Sequence, residues 1–200
     1  VYTFCMCPGG HVVAAASEEG RIVTNGMSYA DRDGENANAA LLVTVNPAEF
    51  PYDGTLGGMK WQRDLEEAAY RASGSYQAPA QKVGDFLKGK PSTGPGKVLP
   101  SYQPGVKWTD LSKCLPDYVA QSLREALPML DRKLKGFASP DAVFTGVETR
   151  SSSPLRIESS KACMSEVKGL YPCGEGAGYA GGITSAAVDG LRAAIEYLKG

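Results

Sequence analysis

The chain has 200 residues, 42% of them apolar and 22% charged, with a formal net charge of −1. That length can bury a sizeable core, and the balanced charge argues against a nucleic-acid or anionic-membrane partner. No apolar run is long enough to span a bilayer and no signal-peptide pattern opens the chain.

The sequence starts at Val1, already inside a β-rich run, and reads as an excised piece or a processed product. Its five cysteines, Cys5, Cys7, Cys114, Cys163 and Cys173, are odd in number and irregular in spacing, which suits reduced thiols better than a disulfide framework. That cysteine usage leads to the expectation of a reducing cytoplasm.

Taken in order, Val1–Cys5, His11–Ala15 and Arg21–Thr24 are apolar, β-branched runs that predict strands, separated by turn chemistry at Pro8-Gly9-Gly10 and Ser17–Gly20. Ala40–Val45 predicts another strand, and Pro47–Gly58 a loop. A helix is expected from about Met59 to Ala72, with Trp61, Leu65 and Ala68 or Ala69 inward and Arg63, Asp64, Glu66 and Glu67 outward. Val83–Leu87 suits a further helical turn or two. Lys88–Gly105, rich in Gly, Pro, Ser and Lys, reads as an exposed loop. Its Gly94-Pro95-Gly96-Lys97 lacks the spacing of a phosphate loop.

Pro116–Lys135 predicts a second helix with Val119, Leu123, Leu127 and Leu130 on one side, kinked or restarted at Pro128. Ala142–Val147 suits a buried strand, Gly169–Cys173 a last strand, and Gly181 or Gly182 to Leu198 a last helix. The sum is an α+β fold.

Glycines at 174, 176, 178, 181 and 182 lie between that last strand and last helix. Such density lets backbone approach a bulky ligand, and a helix start offers free N–H groups and partial positive charge. Gly176, Gly178 and Gly181 spell G-x-G-x-x-G. A Rossmann pyrophosphate turn also needs a second strand with an acidic residue about twenty positions on. The sequence stops at Gly200, so the spelling is read as a false match and an NAD-binding Rossmann domain is disfavoured.

The ordered string Gly169-Leu-Tyr-Pro-Cys-Gly-Glu-Gly-Ala-Gly, then Tyr179-Ala-Gly-Gly-Ile, resembles the closing motif of two-dinucleotide-fold flavoproteins. Cys5–Gly10 (CMCPGG), Asn25–Tyr29 (NGMSY), Ala78–Leu87 (APAQKVGDFL) and Thr145–Ile157 (TGVETRSSSPLRI) carry the likeness across nearly the whole chain. Together they resemble the uncharacterised FAD-dependent dehydrogenases, large bacterial proteins related to the BaiN-like flavoproteins.

The resemblance implies a β-rich cap or substrate domain with helices over residues 1–144, and over 145–200 the C-terminal strand–loop–helix of an FAD-binding domain. The cofactor implied is FAD, with Gly174, Glu175, Gly176, Gly178, Gly181, Gly182, Ile183 and Thr184 as its neighbours. Glu175 would hold the ribityl chain, and backbone N–H groups around Gly182, Ile183 and Thr184 would face flavin N1 and C2=O. Such donors favour the anionic reduced flavin. The family's N-terminal strand–GxGxxG–helix, which seats the ADP half of FAD, is absent from this sequence. This chain alone is therefore expected to bind FAD weakly or not at all, and its partners are the N-terminal FAD-binding half of a longer protein and a small-molecule substrate.

The expected chemistry is hydride exchange between flavin and a small organic substrate, walled by Cys5–Gly10, Glu148–Ser152 and Gly174–Thr184. Cys5 and Cys7 read as ordinary strand residues, as site lining or as a redox pair. His11 is the only histidine, so a metal site is not expected. Arg150, with Arg156 behind it, is the candidate for an anionic substrate or the flavin, and Tyr179 for covering a flavin edge. The catalytic candidates are thus Cys5, Cys7 and Arg150. The alternative is a non-catalytic α+β binding or assembly domain in which the glycines are structural.

Overall fold

A computed structural model describes residues 1–199 of the chain. Its strands are β1 (Tyr2–Cys7), β2 (Gly10–Ala14), β3 (Thr24–Ser28), β4 (Asn38–Leu42), β5 (Ala78–Lys82), β6 (Val106–Trp108) and β7 (Val143–Thr145). Its α-helices are α1 (Gly57–Ser73), α2 (Val83–Leu87), α3 (Asp117–Lys133) and α4 (Ile183–Lys199). The mixture is α+β, as the sequence predicts. No helix among the described residues is long and apolar enough to cross a membrane.

The chain divides into two compact units, one of residues 1–45 and 63–149, the other of 46–62 and 150–200. In the first unit β1 pairs antiparallel with β4, and β2 with β3. The middle strand of a third sheet is β5, parallel to β6 and antiparallel to β7. Neither β5 nor β6 is predicted from the sequence. Ala78-Pro79-Ala80-Gln81 has no β-branched residue, and proline is a poor sign of a central strand.

Small size is what suits β5 to its place, since Ala78, Ala80 and Gln81 are all fully buried. Gln81 is satisfied there. Its Oε1 accepts from Leu111 N–H at 2.9 Å and its Nε2 donates to the Lys90 carbonyl at 2.7 Å. A buried amide with both ends bonded carries little of the penalty of an unpaired polar group.

Two apolar clusters fill this unit. One gathers Ile22, Ala69, Ala78, Tyr102, Leu111, Cys114 and Val147. The other gathers Val83, Phe86, Ala120, Leu123 and Leu127. Phe86 meets Phe144 edge-on at 5.2 Å, and the Arg124 guanidinium lies 4.8 Å from the Phe86 ring centre.

Four expectations need correction. Arg21–Val23 is not strand: Ile22 N–H bonds the Glu66 carbonyl and Ala15 N–H bonds the Val23 carbonyl, so the run serves the core and pairing begins at Thr24. Glu66 faces inward, with 0% exposure, along the stripe Gln62–Glu66–Ala69–Ser73 rather than outward. Helix α3 does not restart at Pro128, which lies on its exposed side, where water can take up the carbonyl that proline leaves without a donor. Gly169–Cys173 forms no strand, because among the described residues no neighbouring strand pairs with it.

Candidate functional site

The second unit contains the glycine segment. Gly174 and Gly178 have φ of +73° and +83°, conformations that a side chain rarely adopts. At Gly178 a Cβ would also strike the Leu155 carbonyl oxygen and come within 2.8 Å of Arg156 Cα. The chain closes on itself here: Gly178 N–H bonds the Glu175 carbonyl at 2.9 Å, Tyr179 N–H bonds the Gly174 carbonyl at 3.0 Å, and Ile157 N–H bonds the Ala177 carbonyl at 3.1 Å. Gly174 N–H donates to Asp189 Oδ2 at 2.7 Å, tying the turn to α4.

Tyr179 fixes the other side. Its hydroxyl donates to the Ile157 carbonyl at 2.8 Å and lies 2.7 Å from Ser159 Oγ, and the Arg156 guanidinium stacks 4.1 Å from its ring centre. The ring is therefore engaged with Arg156–Ser159. Of the two arginine candidates, the guanidinium of Arg156 has its place on this ring.

Gly176 and Gly181 differ from their neighbours. Neither has a positive φ, and a Cβ on either would meet nothing within 4 Å. Packing inside the chain gives no reason for glycine at these two positions, and both open onto unfilled space. Glu175 is exposed, and its carboxyl takes no hydrogen bond from a described residue. Partial burial nonetheless pushes its pKa above the usual carboxylate value, because the charged form loses some of its water.

At the start of α4, Gly182 N–H is already taken by Ser185 Oγ at 3.1 Å. Ile183 and Thr184 belong to the first turn, whose N–H groups have no partner within a helix. Ile183 is 94% exposed. The segment offers two first-turn N–H donors and a solvent-facing carboxylate acceptor beside backbone without side chains.

The apolar residues of α4 are unusually open. Ile183, Val188, Leu191, Ile195, Tyr197 and Leu198 are all exposed, Leu198 by 81%. Only Ala193 is buried in this helix. These side chains pack against little of the described chain.

The other candidates divide between the units. Cys5 and Cys7 are in the first, on β1; Arg150 opens the second stretch of the second unit. His11 packs against Tyr29 at 5.4 Å between ring centres, an ordinary strand-face contact. Among the described residues no cluster of histidine, cysteine or carboxylate side chains has the makings of a metal site. Sequence reasoning placed Thr149 in the Glu148–Ser152 wall but missed its bond to Glu66, at 2.8 Å. The signal available was the carboxylate's place on the same helical stripe as Ala69.

The family model for FAD-dependent proteins, described as their C-terminal domain-like region, matches residues 1–151. The glycine segment lies outside that match. An uncharacterized protein of Clostridium beijerinckii is 55% identical over 201 residues, which takes in all of this chain but 38% of its own length. The chain thus spans well under half of that relative.

Proposed function

Because the chain belongs to the FAD-dependent proteins through their C-terminal domain, we propose that it is the flavin-facing part of a longer FAD-dependent oxidoreductase. FAD, when bound, would supply the hydride acceptor or donor for a small organic substrate. In this reading Gly176 and Gly181 leave room for the isoalloxazine and ribityl groups to lie against bare backbone. Glu175 accepts a hydrogen bond from a ribityl hydroxyl, and the N–H groups of Ile183 and Thr184 donate toward the electron-rich pyrimidine edge. Gly174 and Gly178 shape the turn, and Gly182 caps the helix. Arg150 is the candidate for orienting an anionic substrate, and Cys5 and Cys7 are the candidate thiols.

The observation that carries the proposal is the open space in front of Gly176 and Gly181, which nothing in the chain's own packing explains. The exposed face of α4 supplies the partner. An apolar stripe of this size is costly to leave in water, and the preceding segment of a longer protein, such as the relative's remaining length, would cover it. The same stripe also favours a second reading, a non-catalytic assembly domain with structural glycines.

Visible absorbance of the longer protein during FAD titration separates the two. A flavin spectrum that shifts on binding, and that Gly181→Val weakens, is the expected result. A longer protein that takes up no flavin sinks the oxidoreductase reading and leaves assembly.

A further inference from the structure

Strand β1 of the first unit is irregular. Phe4 pairs with Ala40 but Cys7 pairs with Asn38, so β1 advances three residues while β4 advances two. The extra residue is a β-bulge between Phe4 and Cys7. Within it Cys5 has φ of +51°, a left-handed conformation that costs a non-glycine residue energy and persists only where the surrounding structure holds it. The next turn is equally constrained, since Gly9 has φ of +55° and a Cβ on Gly10 would approach Cys7 Cβ to 2.8 Å.

The bulge has a consequence for the two sulfurs. In a straight strand, residues two apart have Cα atoms about 6.6–6.8 Å apart, at the outer limit of the roughly 4.4–6.8 Å that a disulfide spans. A bulge that fits three steps of chain opposite two draws the residues within it closer together than in a straight strand, which favours approach of the two sulfurs. The Cys7 thiol also turns back over its neighbour, with Sγ donating to the Cys5 carbonyl at 3.2 Å. Cys5 is exposed and Cys7 half-buried, so a reagent in solution reaches Cys5 first.

We infer that Cys5 and Cys7 are a thiol–disulfide exchange pair, held ready by the bulge, that reacts with small-molecule disulfides. The Cys5 thiolate attacks one sulfur of R–S–S–R, forming a Cys5–S–S–R mixed disulfide and expelling RS⁻, which takes up a proton. The Cys7 thiolate then attacks the Cys5 sulfur, closing the Cys5–Cys7 disulfide and expelling the second RS⁻, which is protonated in turn. Two protein thiols become one disulfide and one reagent disulfide becomes two thiols, so two electrons pass to the reagent. The exchange needs no flavin and stands apart from the proposal for the glycine segment.

Oxidised glutathione is the probe. The whole chain is equilibrated in glutathione buffers, quenched with iodoacetamide and digested with trypsin, and the peptide Val1–Arg21 is weighed. The expected product is that peptide two hydrogens lighter, with its equilibrium constant at least about tenfold larger in the folded chain than in concentrated urea. In Cys7→Ser, Cys5 should stop at the glutathione mixed disulfide. A folded wild-type chain that accumulates the mixed disulfide, or that keeps both thiols while the urea-unfolded chain closes the ring as readily, overturns the inference. The folded-against-unfolded comparison uses only wild-type chain and does not depend on how well the variant folds.

Discussion

Thr149 Oγ1 donates a 2.8 Å hydrogen bond to Glu66 Oε1, a carboxylate with no exposure to solvent. Removing one donor from a buried carboxylate leaves its desolvation cost less fully offset. Thr149→Val should therefore lower stability by about 1–3 kcal/mol. Glu66→Gln, which can still accept from Thr149, should cost less than Glu66→Ala, which leaves a cavity and removes the acceptor. Thermal unfolding followed by circular dichroism ranks the variants; equal losses for Gln and Ala would show that the bond contributes nothing.

The glycines of the 174–182 segment should separate into two classes under substitution. Gly178→Ala combines a positive φ with a clash against the backbone of Leu155 and Arg156, and should destabilise by at least about 1 kcal/mol. Gly176→Ala and Gly181→Ala meet open space and should leave the melting temperature nearly unchanged. Any loss of flavin retention that these two cause in the longer protein then reports ligand contact rather than misfolding.

Glu175 gives the most direct check of the ribityl assignment. In the longer protein, Glu175→Ala should release flavin during gel filtration, while Glu175→Gln, which keeps an acceptor oxygen, retains more. Flavin occupancy is read from the visible-to-ultraviolet absorbance ratio. Retention untouched by either substitution would remove Glu175 from the cofactor site.

Asp85 anchors the start of the 88–105 loop. It accepts a 2.6 Å hydrogen bond from Ser92 Oγ, which in turn accepts from Lys82 N–H at 2.9 Å. The Ser92 bond, outweighing partial burial and aided by Lys82, holds the Asp85 pKa below its usual 3.8. A carboxyl depressed on folding stabilises the fold above its unfolded pKa, and that contribution is lost as pH falls through the folded value. The loop should therefore loosen only under acid, at a pH below about 4. Ser92→Ala should move the Asp85 titration back toward 3.8, as followed by carboxyl-carbon NMR.

Cys114 supplies a built-in reporter. Burial, then the negative charge of Asp110, pushes its thiol up to about 12. At pH 8 it should resist alkylation in the folded chain while exposed Cys5 and Cys173 react. Labelling of Cys114 should rise only with denaturant, in step with unfolding by circular dichroism.

Several features were legible in the sequence because they depend on local chemistry alone. Helical periodicity located α1, α3 and α4 to within a few residues, and Gly-Pro clusters marked 88–105 as loop, although Ser92 and Tyr102 within it are buried rather than exposed as expected. The density of glycine around Glu175 singled out the candidate segment. What remained hidden depends on partners far along the chain. The central strand Ala78–Lys82 looks unlike a strand, because its small residues suit burial between β6 and β7. Glu66 looks like a surface acid until Thr149, eighty-three positions later, arrives to satisfy it.

The sequence by itself determined the α+β composition, the flavoprotein resemblance and the glycine-rich turn, since residue type and spacing carry those. Only the tertiary structure decided which glycines the fold itself requires. Gly178 is held by the backbone of Leu155 and Arg156, whereas Gly176 and Gly181 face space that the chain does not fill. The difference depends on steric contact with residues distant in sequence, which no local pattern records.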